Sequence, residues 1–182
     1  MRAIDFSNCS EEELWHYVGS HLSSNGFDAV LVGGAVVSIY SKGIYKSGDL
    51  DFIIQNLFKE KLPDAMKEIG FEKHGRHYIH PKCEHLFVEF PSGPLEIGDD
   101  INIIPLVKKS SGKDIKILSP TDCIKDRLAS YIYFKAQECL EQAVLVAKSQ
   151  PYDVKKVKEW CLAENAEWAY LDFMDHLKRY EK

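Results

Sequence analysis

Residues 29–54, AVLVGGAVVSIYSKGIYKSGDLDFII, form the stretch that decides the fold. The run before the glycines is apolar and β-prone, whereas the residues after Gly33 and Gly34 can start a helix, so the pair falls at a predicted strand-to-helix turn. The backbone N–H groups at a helix N-terminus have no partner within the helix and attract phosphate. This turn is therefore a candidate phosphate-binding site.

Two acids follow on the next predicted strand. In the run from Asp49 to Ile54, the alternation of a strand sends Asp49 and Asp51 to one side and Leu50 and Phe52 to the other. Carboxylates about 7 Å apart along a strand can share one or two Mg²⁺ ions. The alternative is a polar turn with an exposed edge residue, but Asp is rare inside strands and here repeats at the same-face interval.

The glycine turn, short helix and Asp-x-Asp strand together resemble the nucleotidyltransferase superfamily typified by DNA polymerase beta. Within it, the chain looks most like the small bacterial and archaeal enzymes that include AbiEii-like toxins and MNT-type proteins. The resemblance implies an α/β (α+β) fold with a mixed β-sheet flanked by helices. We expect residues 1–118 to form this core and residues 119–182 a helical C-terminal part packed on it.

The resemblance also implies a reaction and its catalytic groups. A nucleoside monophosphate would pass from a nucleoside triphosphate such as ATP to a hydroxyl group, with release of pyrophosphate. The superfamily uses a third carboxylate on a later strand, and Glu89, in the β-prone run from His85 to Phe90, is the candidate. Asp49, Asp51 and Glu89 would bind two Mg²⁺ ions, with Mn²⁺ as an alternative. Otherwise Glu89 is a solvated acid on a hairpin.

Nucleotide binding would draw on the glycine turn and on basic residues. Some relatives carry a basic residue beside the glycines, whereas this chain has Val32 before them and Val36 after them. Triphosphate binding is then either weak or depends on basic residues from other parts of the chain. The expected nucleotide-binding residues are Gly33, Gly34, Ser47, Lys46, Arg76, Lys125 and Arg127. Lys42 and Lys46 could equally be solvated lysines, and the same holds for Lys125 and Arg127 on their helix.

A dense group of imidazoles and one thiol precedes Glu89, at positions His74, His77, His80, Cys83 and His85. Such side chains can bind zinc. Spacings of three place neighbours on opposite faces of a strand, however, so contacts with substrate or an ordinary surface hairpin are the preferred interpretations.

Composition limits the function classes. The 182 residues carry a net charge of −5, which does not favour a long nucleic acid as partner. Five scattered cysteines without CxxC spacing indicate reduced thiols, and no apolar run reaches the length of a membrane span, so we expect a cytoplasmic protein. The acceptor stays open between a protein side chain, an RNA end and a small molecule. A protein partner is also expected, since such relatives often belong to toxin–antitoxin or phage-defence pairs.

Several further elements can be predicted. A helix begins after Ser10, and others follow Ser119-Pro120 and Asp153, where a capping residue precedes the helical pattern. A helix is expected over residues 58–69, a two-armed hairpin over 71–90, and short strands over 101–106 and 114–118. The rival functional hypothesis is a non-catalytic module that senses nucleotide or binds a partner. The three acids oppose it, and the missing basic residue favours it.

Overall fold

A central mixed sheet organises the computed structural model, which describes residues 4–56 and 59–179. Within these ranges the helices and strands are, in chain order, α1 (Glu11–Ser24), β1 (Ala29–Val32), α2 (Gly33–Tyr40), β2 (Asp49–Ile54), a 3-10 turn (Lys59–Lys61), α3 (Leu62–Glu68), β3 (Glu72–His74), β4 (His77–His80), β5 (Cys83–Glu89), β6 (Leu106–Ser110), β7 (Lys113–Ile117), α4 (Pro120–Phe134), α5 (Gln137–Ser149), α6 (Val154–Ala163) and α7 (Glu167–Arg179).

The described strands form a seven-stranded sheet in the order β3-β4-β5-β2-β1-β7-β6. β2 pairs with β5 and β1 pairs with β7 in parallel, and the remaining neighbours are antiparallel. Val32 at the end of β1 is opposite Asp51 of β2, and Asp51 is opposite Glu89 of β5. This register brings the glycine turn after β1 to the same part of the sheet as the acids. The predicted α/β fold with a mixed sheet is confirmed.

The helix after the glycines lies in the centre of the molecule. Ala35, Val36 and Val37 of α2 are almost fully buried, and α2 packs against β1, β2, α1, α4 and α5. A helix that is apolar around its whole circumference requires such burial. The glycine turn is thereby fixed from several sides.

Capping residues start the flanking helices where the sequence predicts. Ser10 and Glu13 form a capping box at α1, Ser119 caps α4, and Asp153 caps α6. Helices α4 to α7 pack on one another, and α4 and α5 contact α2. The proposed division between residues 118 and 119 stays a prediction. Among the described residues, none of the helices combines the length and the apolar character that a membrane crossing requires.

Three expected elements differ in the structure. The hairpin predicted over residues 71–90 has a first arm that is expected to be one strand over residues 71–79. In the structure this arm consists of two strands, β3 and β4, because Gly75 has a φ of +64° and turns the chain. Residues 101–105 are not a strand, and the ladder of β6 begins after Pro105, which has no N–H to donate. Lys108 and Lys109 lie on this edge strand, where charge discourages further pairing. Of the helix expected over 58–69, residue 58 lies outside the described residues, and α3 begins only at Leu62.

Candidate active site

The candidate site lies where β1, β2 and β5 run side by side. Asp49 and Asp51 are two residues apart on β2 and therefore share a face, and both are half-buried. The parallel pairing sets Glu89 of β5 directly beside Asp51. Three carboxylates predicted from separate segments are thus brought to one region.

The glycine turn lies against these acids. Gly33 has a φ of +74°, and a Cβ atom there would stand 2.6 Å from Oδ2 of Asp51. A Cβ atom on Gly34 would stand 2.8 Å from Oγ of Ser47, and this hydroxyl donates a hydrogen bond of 2.8 Å to Oδ1 of Asp49. The two glycines are required because any side chain would occupy the space between the turn and the acids.

The charge of the site is unbalanced. Burial, followed by repulsion from Asp49 and Glu89, raises the pKa of Asp51 to about 7, and the nearby Arg127 only partly opposes this rise. A carboxylate held among other carboxylates prefers to be neutral unless a cation joins them. Oxygen donors of this kind fit Mg²⁺ or Mn²⁺. Asp49, Asp51 and Glu89 are the residues that could hold such ions.

Glu89 already has an imidazole neighbour on β4 and a guanidinium neighbour on the turn before it. Its Oε1 atom lies 2.6 Å from Nε2 of His77 and 3.4 Å from Nε of Arg76, which is largely exposed. Among residues 4–56 and 59–179, the ligand atoms of the three acids do not converge within 4.8 Å of one another. One small ion could reach all three only after these side chains rearrange.

The predicted basic residues are placed differently from one another. Arg127 influences Asp51 electrostatically, but it also binds Asp126 at 2.6 Å and Gln142 at 3.3 Å. Lys125, two residues away on α4, points elsewhere and lies 3.2 Å from both Asp100 and Asp122. The roles of both in nucleotide binding stay predictions, as do those of the other residues.

The lysines near the glycine turn are solvent-exposed. Lys46 is 71% exposed and lies 3.9 Å from Glu11, and Lys42 is exposed as well. Neither is among the main causes of the shift in the pKa of Asp51. A triphosphate would have to draw these side chains inward.

The group of histidines with Cys83 does not form one cluster. His74 lies 3.9 Å from Glu72, and His77 faces Glu89. The ring of His80 is buried and stacks 3.7 Å from the ring of Phe6. Cys83 and His85 instead meet Cys9, from the segment before α1.

Two residues at the site were missed by sequence analysis. Glu11 is only 4% exposed and accepts a hydrogen bond of 2.9 Å from the backbone N–H of Ser47. The hydroxyl of Tyr45 lies 3.4 Å from the position of a Cβ on Gly34. Nothing local separates Glu11 from the two acids after it, because its contact with Ser47 spans 36 residues.

No known protein family matches the chain, and no curated protein matches its sequence. Solved structures do resemble it. An antigenic nucleotidyltransferase-like protein from Paracoccidioides brasiliensis is 16% identical, with a TM-score of 0.58 over 79% of this chain and 78% of that one.

Two antibiotic-modifying proteins are also similar in structure. ANT(2")-Ia, solved with adenylyl-2"-tobramycin, is 14% identical over 86% of this chain and 97% of its own, with a TM-score of 0.57. The lincosamide adenylyltransferase LnuA, solved with lincomycin, is 14% identical over 79% and 99%, with a TM-score of 0.51. These likenesses show that the chain has a nucleotidyltransferase-like fold.

Proposed function

We propose that this protein is a Mg²⁺-dependent nucleotidyltransferase that moves a nucleoside monophosphate from a nucleoside triphosphate to a hydroxyl group. The observation that carries the proposal is the placement of Asp49, Asp51 and Glu89 on neighbouring strands beside the glycine turn, where burial, followed by repulsion from Asp49 and Glu89, raises the pKa of Asp51 to about 7. The five free cysteines of the protein agree with a cytoplasmic location, where nucleoside triphosphates are abundant.

Each residue has a part in binding the triphosphate. The N–H groups at the start of α2 and the Ser47 hydroxyl would donate hydrogen bonds to phosphate oxygens. Two Mg²⁺ ions, or Mn²⁺ in their place, would neutralise phosphate charge and lower the pKa of the acceptor hydroxyl. Asp49 and Asp51 would bind these ions, and Glu89 would be the third carboxylate ligand.

The reaction is an in-line displacement. The acceptor oxygen forms a bond to the α-phosphorus while the bond from that phosphorus to the bridging oxygen breaks, and its electron pair leaves with pyrophosphate. The hydroxyl proton passes to Glu89. His77, whose Nε2 atom lies 2.6 Å from Oε1 of Glu89, would orient this carboxylate.

A small hydroxylated molecule is the acceptor that we test first. ANT(2")-Ia and LnuA, two of its structural neighbours, were solved with small antibiotics or their adenylyl derivatives. The net charge of −5 also gives little general attraction to RNA. Protein side chains and RNA 3′ ends form the other two arms of the experiment.

Calorimetric titration with the four nucleoside triphosphates, with and without Mg²⁺, tests the nucleotide site. We expect binding that requires the metal and is lost in Asp49→Asn/Asp51→Asn. The matched control is Glu60→Gln/Asp64→Asn, which removes two exposed acids. Transfer of α-labelled nucleotide to aminoglycosides, lincosamides, RNA or protein then identifies the acceptor. A folded wild type that binds none of the triphosphates would overturn the proposal.

A non-catalytic nucleotide sensor or partner-binding module is the second candidate. Glu89 already pairs with Arg76 and His77, and Arg127 with Asp126, so the free chain presents little unpaired positive charge to a triphosphate. Under this second candidate, the protein would be a relative of AbiEii-like or MNT-type proteins and would bind a partner protein of a toxin–antitoxin pair. Metal-dependent binding without turnover on any acceptor would favour it.

A further inference from the structure

A second set of ligand atoms lies at the end of β5 far from Glu89. The Sγ atoms of Cys9 and Cys83 are 3.9 Å apart, and Nδ1 of His85 is 4.0 Å from Sγ of Cys83. One ligand atom from each residue lies within 4.8 Å of the other two, and no other such group of three occurs among the described residues. Cys83 lies six positions before Glu89 on this strand, which corresponds to about 20 Å.

The histidine is oriented for coordination. Nε2 of His85 lies 2.8 Å from the carbonyl oxygen of Cys9. A carbonyl only accepts, so Nε2 carries the proton and Nδ1 of the neutral ring presents its lone pair toward Cys83. Metal-binding histidines usually donate their second nitrogen to a carbonyl or carboxylate in this way.

The separations match those of a tetrahedral thiolate site. Zinc bonds of about 2.3 Å to sulfur and about 2.0 Å to nitrogen place two sulfurs about 3.8 Å apart, and a sulfur and a nitrogen about 3.6 Å apart. The observed distances, 3.9 Å between the sulfurs and 4.0 Å from Sγ of Cys83 to Nδ1 of His85, are slightly longer than these values. Sulfur and imidazole ligands favour zinc over magnesium. We propose that Cys9, Cys83 and His85 bind one Zn²⁺ ion, separate from the carboxylate site.

The site joins two parts of the chain. Cys83 and His85 are two apart on β5 and face the same side, while Cys9 comes immediately before the capping box of α1. The stack of Phe6 on His80 holds the same N-terminal segment against the sheet. A bound ion would therefore fasten the start of α1 to β5.

The fourth ligand would be water. A surface depression lined by Asp5, Ser7, Glu84 and His85, among others, opens beside the histidine. Both cysteines are buried, at 5% and 1% exposure, so solvent reaches the ion from the histidine side. Three protein ligands with one accessible position complete a tetrahedral shell.

Cobalt titration of the reduced, metal-free full chain tests the proposal. We expect one equivalent of Co²⁺ to give thiolate-to-metal charge-transfer absorption, and one equivalent of Zn²⁺ to abolish it. His85→Gln, at an exposed position, should weaken zinc binding at least about 100-fold in competition with a chromophoric chelator. Cys83→Ala should weaken cobalt binding and reduce the thiolate absorption, and zinc should raise the unfolding temperature of the wild type but of neither of these two variants.

Matched variants distinguish this site from metal binding elsewhere on the chain. His74→Gln, Cys161→Ala and Asp49→Asn/Asp51→Asn should each keep the cobalt spectrum of the wild type. Absence of that spectrum in a folded, reduced wild type would overturn the proposal and leave the thiols as core residues. A Cys9–Cys83 disulfide, seen by mass spectrometry under non-reducing conditions in freshly purified protein that contains no zinc, would also overturn it.

Discussion

Oδ2 of Asp51 lies 2.6 Å from the position that a Cβ atom would take on Gly33. The glycine turn and the central carboxylate are therefore packed against each other without room for a methyl group. This relationship links the predicted phosphate site to the predicted metal site, and it can be tested by enlarging the glycine.

Gly33→Ala should damage both stability and nucleotide binding. Its φ of +74° disfavours any side chain, and the new methyl would push Asp51 away. We expect a loss of about 2–3 kcal/mol in the free energy of unfolding, measured in urea. Gly112→Ala is the control, since its φ is +75° but nothing lies within 4 Å of its Cβ position. Equal losses in both variants would show that the contact with Asp51 carries no cost.

Asp51→Asn should stabilise the metal-free protein at alkaline pH. The ordinary pKa of 3.8 rises to about 7 in the folded state, so the folded protein holds this proton more tightly. The Asp51 carboxyl does not lower the free energy of unfolding below about pH 4, where it is protonated in both the folded and the unfolded state. As the pH rises from about 4 to 7 it lowers this free energy progressively, and above about pH 7 the destabilisation is complete. In EDTA at pH 8 we expect a gain of about 1–3 kcal/mol, vanishing near pH 4. Asp64→Asn, at an exposed position, is the matched control, and an Asp51→Asn variant less stable than the wild type at pH 8 would contradict this expectation.

His77→Gln should slow transfer while leaving triphosphate binding intact. The imidazole lies 2.6 Å from Glu89 and would orient this carboxylate rather than bind phosphate. We expect kcat to fall by about 10-fold with KM for the triphosphate unchanged, and the pH profile of kcat to shift. His74→Gln, whose neighbour Glu72 is exposed, is the matched control. A rise in KM without a change in kcat would assign His77 to nucleotide binding.

Lys125→Met should destabilise the protein without weakening nucleotide binding. Its ammonium is buried between Asp100 and Asp122, and removal leaves two carboxylates without their cation. We expect a loss of about 2–3 kcal/mol in urea. Triphosphate affinity by calorimetry should stay within about twofold, since each tenfold change would need about 1.4 kcal/mol. A tenfold loss of affinity in a stable variant would instead support the nucleotide-binding role predicted from sequence.

Glu11→Ala should loosen the segment that carries Ser47. The backbone N–H of Ser47 is buried and donates a hydrogen bond to the carboxylate of Glu11. Removal of this carboxylate leaves the N–H group unpaired, at a cost of about 1–3 kcal/mol in the free energy of unfolding. Glu12→Ala, an exposed neighbour in the same helical turn, should cost about 0.5 kcal/mol or less. Thermal unfolding of the two variants side by side makes the comparison. Equal midpoints would mean that solvent replaces Glu11.

Local sequence patterns determined much of this protein. Ser10, Ser119 and Asp153 start their helices because a capping side chain satisfies backbone N–H groups within three residues of it. The shared face of Asp49 and Asp51 follows from the two-residue repeat of a strand. The left-handed conformation of Gly33 likewise agrees with the predicted turn.

Tertiary structure decided which distant residues meet. The parallel pairing of β2 with β5 sets Glu89 beside Asp51, and the burial of α1 singles out Glu11 from three consecutive acids. Cys9 reaches Cys83 across 74 residues, whereas Lys125 and Arg127, two residues apart, face different partners. Short-range periodicity fixes only the direction of a side chain along its own element. Its partner depends on how helices and strands pack, which involves the whole chain.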